Sequence, residues 1–138
     1  MKAITIQQPW AHLIIHGYID AEGRVHRKDV ENRRWWIDYR GPLAIHAGKG
    51  TVTLNEDHLL LYGLKVSDMA FGAVIGIVEM FDCVPLRDCP DSQWAEGSFC
   101  HLYRSPRAID PVPCKGALGL WTVSEELLAA IQGRPVLA

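Results

Sequence analysis

The sequence lacks the patterns that usually indicate a metal site, a cofactor-binding site or a membrane-spanning segment. Its four cysteines, at positions 83, 89, 100 and 114, are irregularly spaced and include no CxxC pair, which argues against a structural zinc site. No run of about 18 apolar residues is present, so we expect no membrane span. The glycine-rich GxGxxG and Walker motifs are absent, as are HExxH and GxSxG. We therefore expect neither a metal nor a cofactor.

We also expect no secretory leader, because Met1 and Lys2 lead directly into an alternating segment without an apolar core region. This predicts a cytoplasmic protein with reduced thiols. Of its 138 residues, 49% are hydrophobic and 22% are charged, which is ordinary for a globular protein. We expect one domain spanning residues 1–138, and a monomer.

The net charge is small, but the charged residues are unevenly distributed. The formal net charge is −2, yet residues 24–49 carry seven positive and three negative side chains. The remaining residues carry seven positive and thirteen negative side chains. A basic segment in an acidic body can attract an anionic ligand even when the whole protein is slightly acidic.

The order of apolar and turn-forming residues predicts many short strands and few helices. Strands are expected at 3–6, 30–37, 43–47, 72–84, 98–103 and 117–123, and helices at 9–16, 54–62 and 125–132. Residues 18–29 are expected to form a loop or small hairpin, and residues 85–97 a loop. Residues 105–113 hold three prolines and are expected to be irregular. This pattern predicts a mainly β fold with helices (α+β), built on a small curved barrel.

A tight turn at Gly41-Pro42 predicts that strands 30–37 and 43–47 pair as a hairpin. Such a hairpin would bring Glu31 and Arg33 to the same end as His46 and Lys49. Lys28, Glu31 and Arg33 are the first chemical candidates, because residues 31 and 33 share one face of a strand and residue 28 lies just before it. The alternative is a solvated cluster of ion pairs, although neighbouring tryptophans are unusual on a purely solvent-facing edge.

The aromatic residues and remaining cations have two interpretations each. Trp35 and Trp36 should point to opposite faces, one toward the core and the other free to stack on a base. Trp94 lies in a polar loop, where stacking and packing are equally expected, whereas core packing is favoured for Trp10. His46 is interpreted as structural or ligand-binding, and Lys49 as a phosphate contact or an exposed lysine. The candidate ligand-binding residues are Gln8, Trp10, Arg33, Trp36, Arg40, His46, Lys49 and Trp94.

Several pieces of the sequence, in order along nearly the whole chain, resemble the ASCH family (activating signal cointegrator-1 homology domains) of the PUA-like superfamily. They are Ile6-Gln7-Gln8-Pro9-Trp10-Ala11, Val30-Glu31-Asn32-Arg33-x-Trp35, Tyr39-Arg40-Gly41-Pro42-Leu43-x-Ile45-His46-Ala47 and Lys115-Gly116-Ala117-Leu118-Gly119-Leu120-Trp121. The resemblance implies a PUA-like β-barrel flanked by short helices, with a cleft between the Gln-Pro-Trp helix and the Glu-Asn-Arg strand. It also implies RNA or other nucleic-acid ligands.

Some members of this family are ribonucleases, and some small relatives hydrolyse the amide of N4-acetylcytidine with a Lys-x-x-Thr-x-Arg arrangement. Here the corresponding piece is Lys28-x-x-Glu31-x-Arg33, so Glu31 stands where the resemblance would place the nucleophilic hydroxyl. A carboxylate can act as a base toward water, which would be a different mechanism.

Three hypotheses follow. The first is a nucleic-acid-binding ASCH module, with RNA slightly preferred. In this hypothesis the phosphates of the ligand contact Arg33, Arg40 and Lys49. Its bases stack on Trp94 or Trp36, and the polar edges of a base contact Gln8 and Glu31. The second is a hydrolase acting on RNA or on an N4-acylated cytidine-type nucleoside. In that case Lys28 and Glu31 would be the catalytic acid/base pair and Arg33 the anion stabiliser. The third is a transcription-related interaction adaptor.

Overall fold

Eight strands and three α-helices make up the described part of the computed structural model, residues 1–89 and 91–137. In chain order they are β1 (Lys2–Ile6), α1 (Trp10–Ile15), β2 (Tyr18–Ile19), β3 (Val25–His26), β4 (Val30–Arg33), β5 (Gly41–Ala47), α2 (Glu56–Tyr62), β6 (Ala73–Pro85), β7 (Phe99–Pro113), β8 (Leu120–Thr122) and α3 (Glu125–Gln132). None of the helices in these two ranges is long and apolar enough to cross a membrane.

Six of the strands form one curled sheet in the order β4-β7-β6-β5-β1-β8, and β2 pairs with β3 in a separate small hairpin. β1 and β5 run parallel, whereas the other neighbours in the large sheet are antiparallel. The Nη2 of Arg33 on the edge strand β4 donates to the carbonyl of Thr5 on β1 at 3.2 Å. This bond links two non-adjacent strands, so the sheet curls into a half-barrel, and the predicted α+β class is confirmed.

The concave side of the sheet encloses the main core, which α1 covers. Ala11, Leu13, Ile14 and Ile15 of α1 are all buried. A Cβ at Gly76 of β6 would lie 2.6 Å from Ile15 Cδ1 and 2.7 Å from the Arg107 carbonyl. Only glycine therefore lets α1 approach the sheet this closely. On the opposite side, Ile131 of α3 packs in a second cluster with Ala3, Val74 and Ile109.

The predicted helices are present, with small shifts at their ends. α1 is followed by Gly17, whose φ of +72° is the left-handed conformation that commonly ends a helix. Ser124 caps α3 by accepting a bond from the Leu127 amide at 3.1 Å. α2 begins at Glu56, because Asn55 caps it by accepting from the amides of Asp57 and His58.

The expectation that residues 105–113 are irregular is wrong, because β7 continues to Pro113. The strand accommodates Pro106 and Pro111 at interruptions of the β6–β7 ladder, and Pro113 is its last residue. Ser105, with φ +53°, and Pro106 both lie between paired Arg104 and Arg107 where β6 has only one residue. Pro111 falls in a second register shift, between Ala108 and Val112. Bulges of this kind need no amide from the proline and bend the strand.

The predicted hairpin between residues 30–37 and 43–47 is also wrong. β4 ends at Arg33 and pairs with β7, whereas β5 lies between β1 and β6. Leu43 to Ala47 are all buried, which is typical of a central strand whose two edges are already paired. Neither tryptophan of the intervening segment fills the core, since Trp35 is 36% and Trp36 51% exposed.

Candidate functional site

A buried chain of charged side chains occupies the edge of the half-barrel. Lys28 Nζ lies 2.9 Å from Glu31 Oε1, and Arg33 Nε and Nη2 lie 3.1 and 3.0 Å from Glu31 Oε2. Lys28 and Glu31 are only 6% and 9% exposed. We call these three residues the Lys28–Glu31–Arg33 triad. One carboxylate faces two cations, so the triad keeps one positive charge in excess.

Local structure explains why the three side chains meet. β4 places Glu31 and Arg33 on one face, as the alternation of a strand requires. The backbone amide of Lys28 donates to the Leu13 carbonyl of α1 at 2.9 Å, which fixes the start of the strand beside the helix. The Lys28 ammonium group donates to the Val30 carbonyl as well as to Glu31. The sequence-predicted convergence of these three residues is therefore present in the structure.

Two cavities open on either side of this triad. The first, of about 460 Å³, is lined by Trp10, Lys28, Glu31, Asn32, His58, Tyr62, Gln93, Trp94 and Glu96. The second, of about 350 Å³, is lined by Thr5, Ile6, Gln7, Trp10, Glu31, Arg33, Thr53, Ala117, Leu118 and Gly119. Trp10 and Glu31 line both. The two cavities form one cleft with a charged floor and aromatic walls, which we call the triad cleft.

Trp94 both packs in the fold and lines the cleft. It is 8% exposed and contacts the ring of Tyr62 at a centroid distance of 5.9 Å and that of Tyr18 at 6.1 Å. Its remaining edge borders the first cavity. The two alternatives drawn from the sequence, packing and ligand contact, are thus compatible for this residue.

Asn32 is a positioning residue that the sequence reasoning missed. Its side chain lies on the face of β4 opposite Glu31, where Nδ2 donates to the Trp94 carbonyl at 2.9 Å. Its Oδ1 accepts from the amides of Glu96 and Gly97, each at 2.9 Å. One amide side chain therefore fixes the loop that carries Trp94. The sequence signals were its place in the Val30-Glu31-Asn32-Arg33 piece of the family resemblance and the presence of an asparagine inside a strand, where that residue is uncommon.

A third cavity, of about 410 Å³, adjoins the triad cleft and holds two more of the predicted residues. It is lined by Thr5, His46, Gly48, Lys49, Gly72, Cys114, Lys115, Gly116, Ala117 and Leu118. His46 is 2% exposed and bonded at both nitrogens: Nε2 donates to the Cys114 carbonyl at 2.8 Å, and Nδ1 accepts from the Thr5 hydroxyl at 3.2 Å. His46 therefore fixes the cavity wall, whereas Lys49 is exposed.

Gln8, Arg40 and Trp36 do not reach the triad cleft. Gln8 is fully buried, with Nε2 donating to the Ala70 carbonyl and Oε1 accepting from the His12 amide, both at 2.8 Å. Its side chain has no free polar atom for a base edge, so that expectation is wrong. Arg40 donates to the carbonyls of Ile37 and Tyr39, and its guanidinium lies 5.8 Å from the centre of the Trp36 ring. This pair belongs to the segment beyond β4.

The buried titratable groups near the triad are held neutral. Burial lowers the pKa of His101, the residue directly opposite Glu31 on β7. Burial raises the pKa of the Tyr103 hydroxyl, and burial together with Cys89 raises the pKa of the Cys100 thiol to about 11. Desolvation favours the uncharged form in each case. These three groups therefore add no charge to that of Lys28, Glu31 and Arg33.

Known proteins resemble this chain in sequence and in fold. No protein-family model matches the chain. It is 29% identical to Activating signal cointegrator 1 of Mus musculus and 27% identical to that of Homo sapiens, in each case over 139 residues covering 90% of this chain and 22% of the relative. The chain thus spans about a fifth of the length of these relatives.

Two crystal structures of ZmASCH from Zymomonas mobilis share the fold. A tyrosine-to-phenylalanine mutant has a TM-score of 0.57 at 15% identity, covering 97% of this chain and 98% of that protein. A serine-to-alanine mutant has a TM-score of 0.54 at 16% identity, covering 95% and 93%. The half-barrel observed here is the fold of those proteins. Together with the sequence likeness to Activating signal cointegrator 1, it shows that the chain is an ASCH domain protein.

Proposed function

We propose that this ASCH domain binds single-stranded nucleic acid in the triad cleft, with RNA slightly preferred over DNA. The observation that carries the proposal is the position of the Lys28–Glu31–Arg33 triad between two cavities that share Trp10, the first of which is also lined by Tyr62 and Trp94. A phosphate binds to cationic side chains and a base stacks on aromatic ones. The triad cleft contains both kinds of side chain. The preference for RNA rests on the family resemblance of the sequence.

The charged floor of the cleft suits a phosphate. Arg33 is the more accessible cation of the triad, with 24% of its side chain exposed against 6% for Lys28. Glu31 Oε2 lies 3.1 Å from its Nε and 3.0 Å from its Nη2, and the Thr5 carbonyl also accepts from Nη2. These bonds leave Nη1 of Arg33 as the donor for an anionic oxygen, on a side chain that is already held in place.

The walls of the cleft suit a base. Trp10 is half-buried and borders both cavities, and Tyr62 and Trp94 border the first. Stacking of a base on an aromatic side chain contributes about 1–3 kcal/mol and tolerates any base. Glu31 lies beside these rings and can accept a bond from an exocyclic amino group, as carboxylates do with cytosine.

Fluorescence anisotropy with labelled single-stranded RNA, the same sequence as DNA, and a duplex tests this proposal. We expect binding at low ionic strength that weakens steeply with salt. R33Q should weaken it about tenfold and reduce the salt slope by about one. R134Q is the matched control, because Arg134 also forms an ion pair, with Asp110 at 3.4 Å, but lies beyond α3. Absence of binding to all three ligands, or equal effects of R33Q and R134Q, would contradict the proposal.

Hydrolysis of RNA or of an N4-acylated cytidine is the second candidate, and the buried Lys28–Glu31 pair favours it. The geometry supports it less well than binding, because Lys28 occupies Oε1 of Glu31 and Arg33 occupies Oε2. An attacking water would have to share one of these carboxylate oxygens with the cation already bound to it. Incubation with N4-acetylcytidine and with labelled RNA decides the matter: turnover that E31Q and K28A abolish would establish the hydrolase, and no turnover by the wild type would exclude it for these substrates.

An adaptor role is the third candidate, for which the relatives' name, Activating signal cointegrator 1, gives the motive. Exposed apolar side chains near α2 favour it, since Leu60 and Leu61 are 76% and 75% exposed. Capture of a protein partner by the wild type and by R33Q, but not by L60S/L61S, would support this role independently of the cleft.

A further inference from the structure

The cavity next to the triad cleft has the composition of an anion site. Lys49 and Lys115 both line it, together with three glycines that bring backbone close to its interior. Both lysines are exposed, and within residues 1–89 and 91–137 neither takes part in an ion pair. No carboxylate is among the residues that line the cavity. Two positive charges therefore face the same space without compensation, and this space attracts anions.

The walls of this cavity are built around glycines. The segment from Cys114 to Gly119 lies directly on β1 and β5: a Cβ at Gly116 would come 2.3 Å from Thr5 Oγ1 and 2.6 Å from His46 Nδ1. The bond from His46 Nε2 to the Cys114 carbonyl fastens the same segment. On the other wall, Gly72 makes room for Lys49, since a Cβ there would lie 2.8 Å from Lys49 Cε. Both lysines are thus carried by backbone that is packed in place.

The cavity is continuous with the triad cleft. Thr5, Ala117 and Leu118 line both this cavity and the second cavity of the cleft. The three cavities therefore follow one another from Trp94, past Trp10 and the triad, to Lys49 and Lys115. Their volumes of about 460, 350 and 410 Å³ lie at the lower end of the range for small-molecule sites. A groove of this kind fits a chain of nucleotide units better than one free nucleoside.

We propose that Lys49 and Lys115 form a second phosphate subsite, so that the ligand is an oligonucleotide whose strand continues from the triad cleft into this cavity. The inference rests on the proposed function and adds the path of the strand, the role of Lys115 and a ligand longer than one nucleoside. Leu118, which is 98% exposed between the two sites, is placed to contact the sugar or base that spans them.

The test measures binding of a fluorescent single-stranded RNA hexanucleotide to the wild type, K49Q, K115Q and R33Q at several salt concentrations. K65Q is the control, because Lys65 is exposed and lines none of the three cavities. We expect K49Q and K115Q each to weaken binding about fivefold and to lower the salt slope by about one. K65Q should change neither. Thermal unfolding establishes that all four variants are folded.

A second arm locates the contact on the ligand. Hexanucleotides with one uncharged methylphosphonate linkage are compared at each position in turn. If Lys115 binds one particular phosphate, K115Q should have no further effect once that linkage is neutral, since the two changes remove the same interaction. Binding that is weakened by R33Q but left unchanged by K49Q and K115Q would overturn the second subsite while leaving the proposed function intact. Absence of hexanucleotide binding by the wild type would overturn both.

Discussion

Lys28 Nζ and Glu31 Oε1 are 2.9 Å apart at the edge of the half-barrel, in a pair that is almost excluded from solvent. Ion pairs of this kind are costly to bury and costly to break, because the partner that remains keeps its charge without compensation. Arg33 and two backbone carbonyls, those of Val30 and Thr5, complete the bonding around the pair. The site is therefore held together by the same contacts that would orient a ligand.

Removal of the shared carboxylate should destabilise the fold. E31A leaves both Lys28 and Arg33 without their acceptor, so we expect the free energy of unfolding to fall by about 3 kcal/mol. E79A is the matched control, because Glu79 forms a two-bond pair with Arg104 but both side chains are exposed to solvent. Its cost should be much smaller, because the attraction between exposed charges is screened by solvent. Urea unfolding monitored by circular dichroism measures both, and equal losses would contradict the buried character of the triad.

Asn32 should hold the loop that carries Trp94. N32A leaves the Trp94 carbonyl and the amides of Glu96 and Gly97 without their partner, which should cost about 1–3 kcal/mol. Hydrogen exchange at the Glu96 and Gly97 amides should become faster. N32D keeps an acceptor for the two amides and loses only the donor to Trp94, so exchange at these amides should stay nearer that of the wild type. Unchanged exchange in N32A would show that the loop is ordered by other contacts.

Local features of this fold could be read from the sequence because they depend on neighbouring residues. Alternation along β4 placed Glu31 and Arg33 on one face, and the three predicted helices are present with small shifts at their ends. The pairing of β5 could not be read in this way. Its partners, β1 and β6, are distant in sequence, and the tight turn at Gly41-Pro42 gave a local signal for the wrong partner.

The same distinction applies to the candidate site. Gln8 was selected by its position in a family pattern, but the burial of its side chain depends on Ala70, a residue 62 positions away. Lys115 and Asn32 were overlooked because neither stands out locally; the cavity and the loop contacts appear only when remote segments come together. Pro106 and Pro111 favoured an irregular segment, and only the bulged register with β6 shows how a strand contains them.

The stability of the protein should fall as the solution is acidified from about pH 6.5 toward pH 4. Burial, with a smaller effect of the His16 charge, lowers the pKa of His12 from 6.5 to about 4. In this range the unfolded chain takes up a proton at this histidine and the folded chain does not, so acid favours unfolding. After allowance for partial solvent screening we expect a loss of roughly 1–2 kcal/mol from this residue.

H12N is the variant that tests the pH dependence. It should reduce the slope of unfolding free energy against pH between pH 6.5 and 4, because the residue that replaces histidine does not titrate there. H58N is the control, since His58 is exposed. Burial also lowers the pKa of His101, so some slope of the same sign should remain in H12N. An H12N slope equal to that of the wild type would contradict this assignment.

Substitution of Trp10 and of Trp36 distinguishes ligand binding in the triad cleft from binding at the exposed tryptophan beyond β4. Trp10 borders both cavities of the cleft, whereas Trp36 lies beside Arg40 and is 51% exposed. Loss of one stacking platform costs about 1–3 kcal/mol of binding. W10L, which keeps an apolar side chain in the wall, should therefore weaken binding of single-stranded RNA by at least about fivefold, and W36L should leave it unchanged. Anisotropy titrations at one fixed salt concentration measure both, with thermal unfolding to confirm that W10L is folded. The reverse result would move the ligand from the cleft to the surface formed by Trp36 and Arg40, where the basic segment of the sequence also has exposed cations.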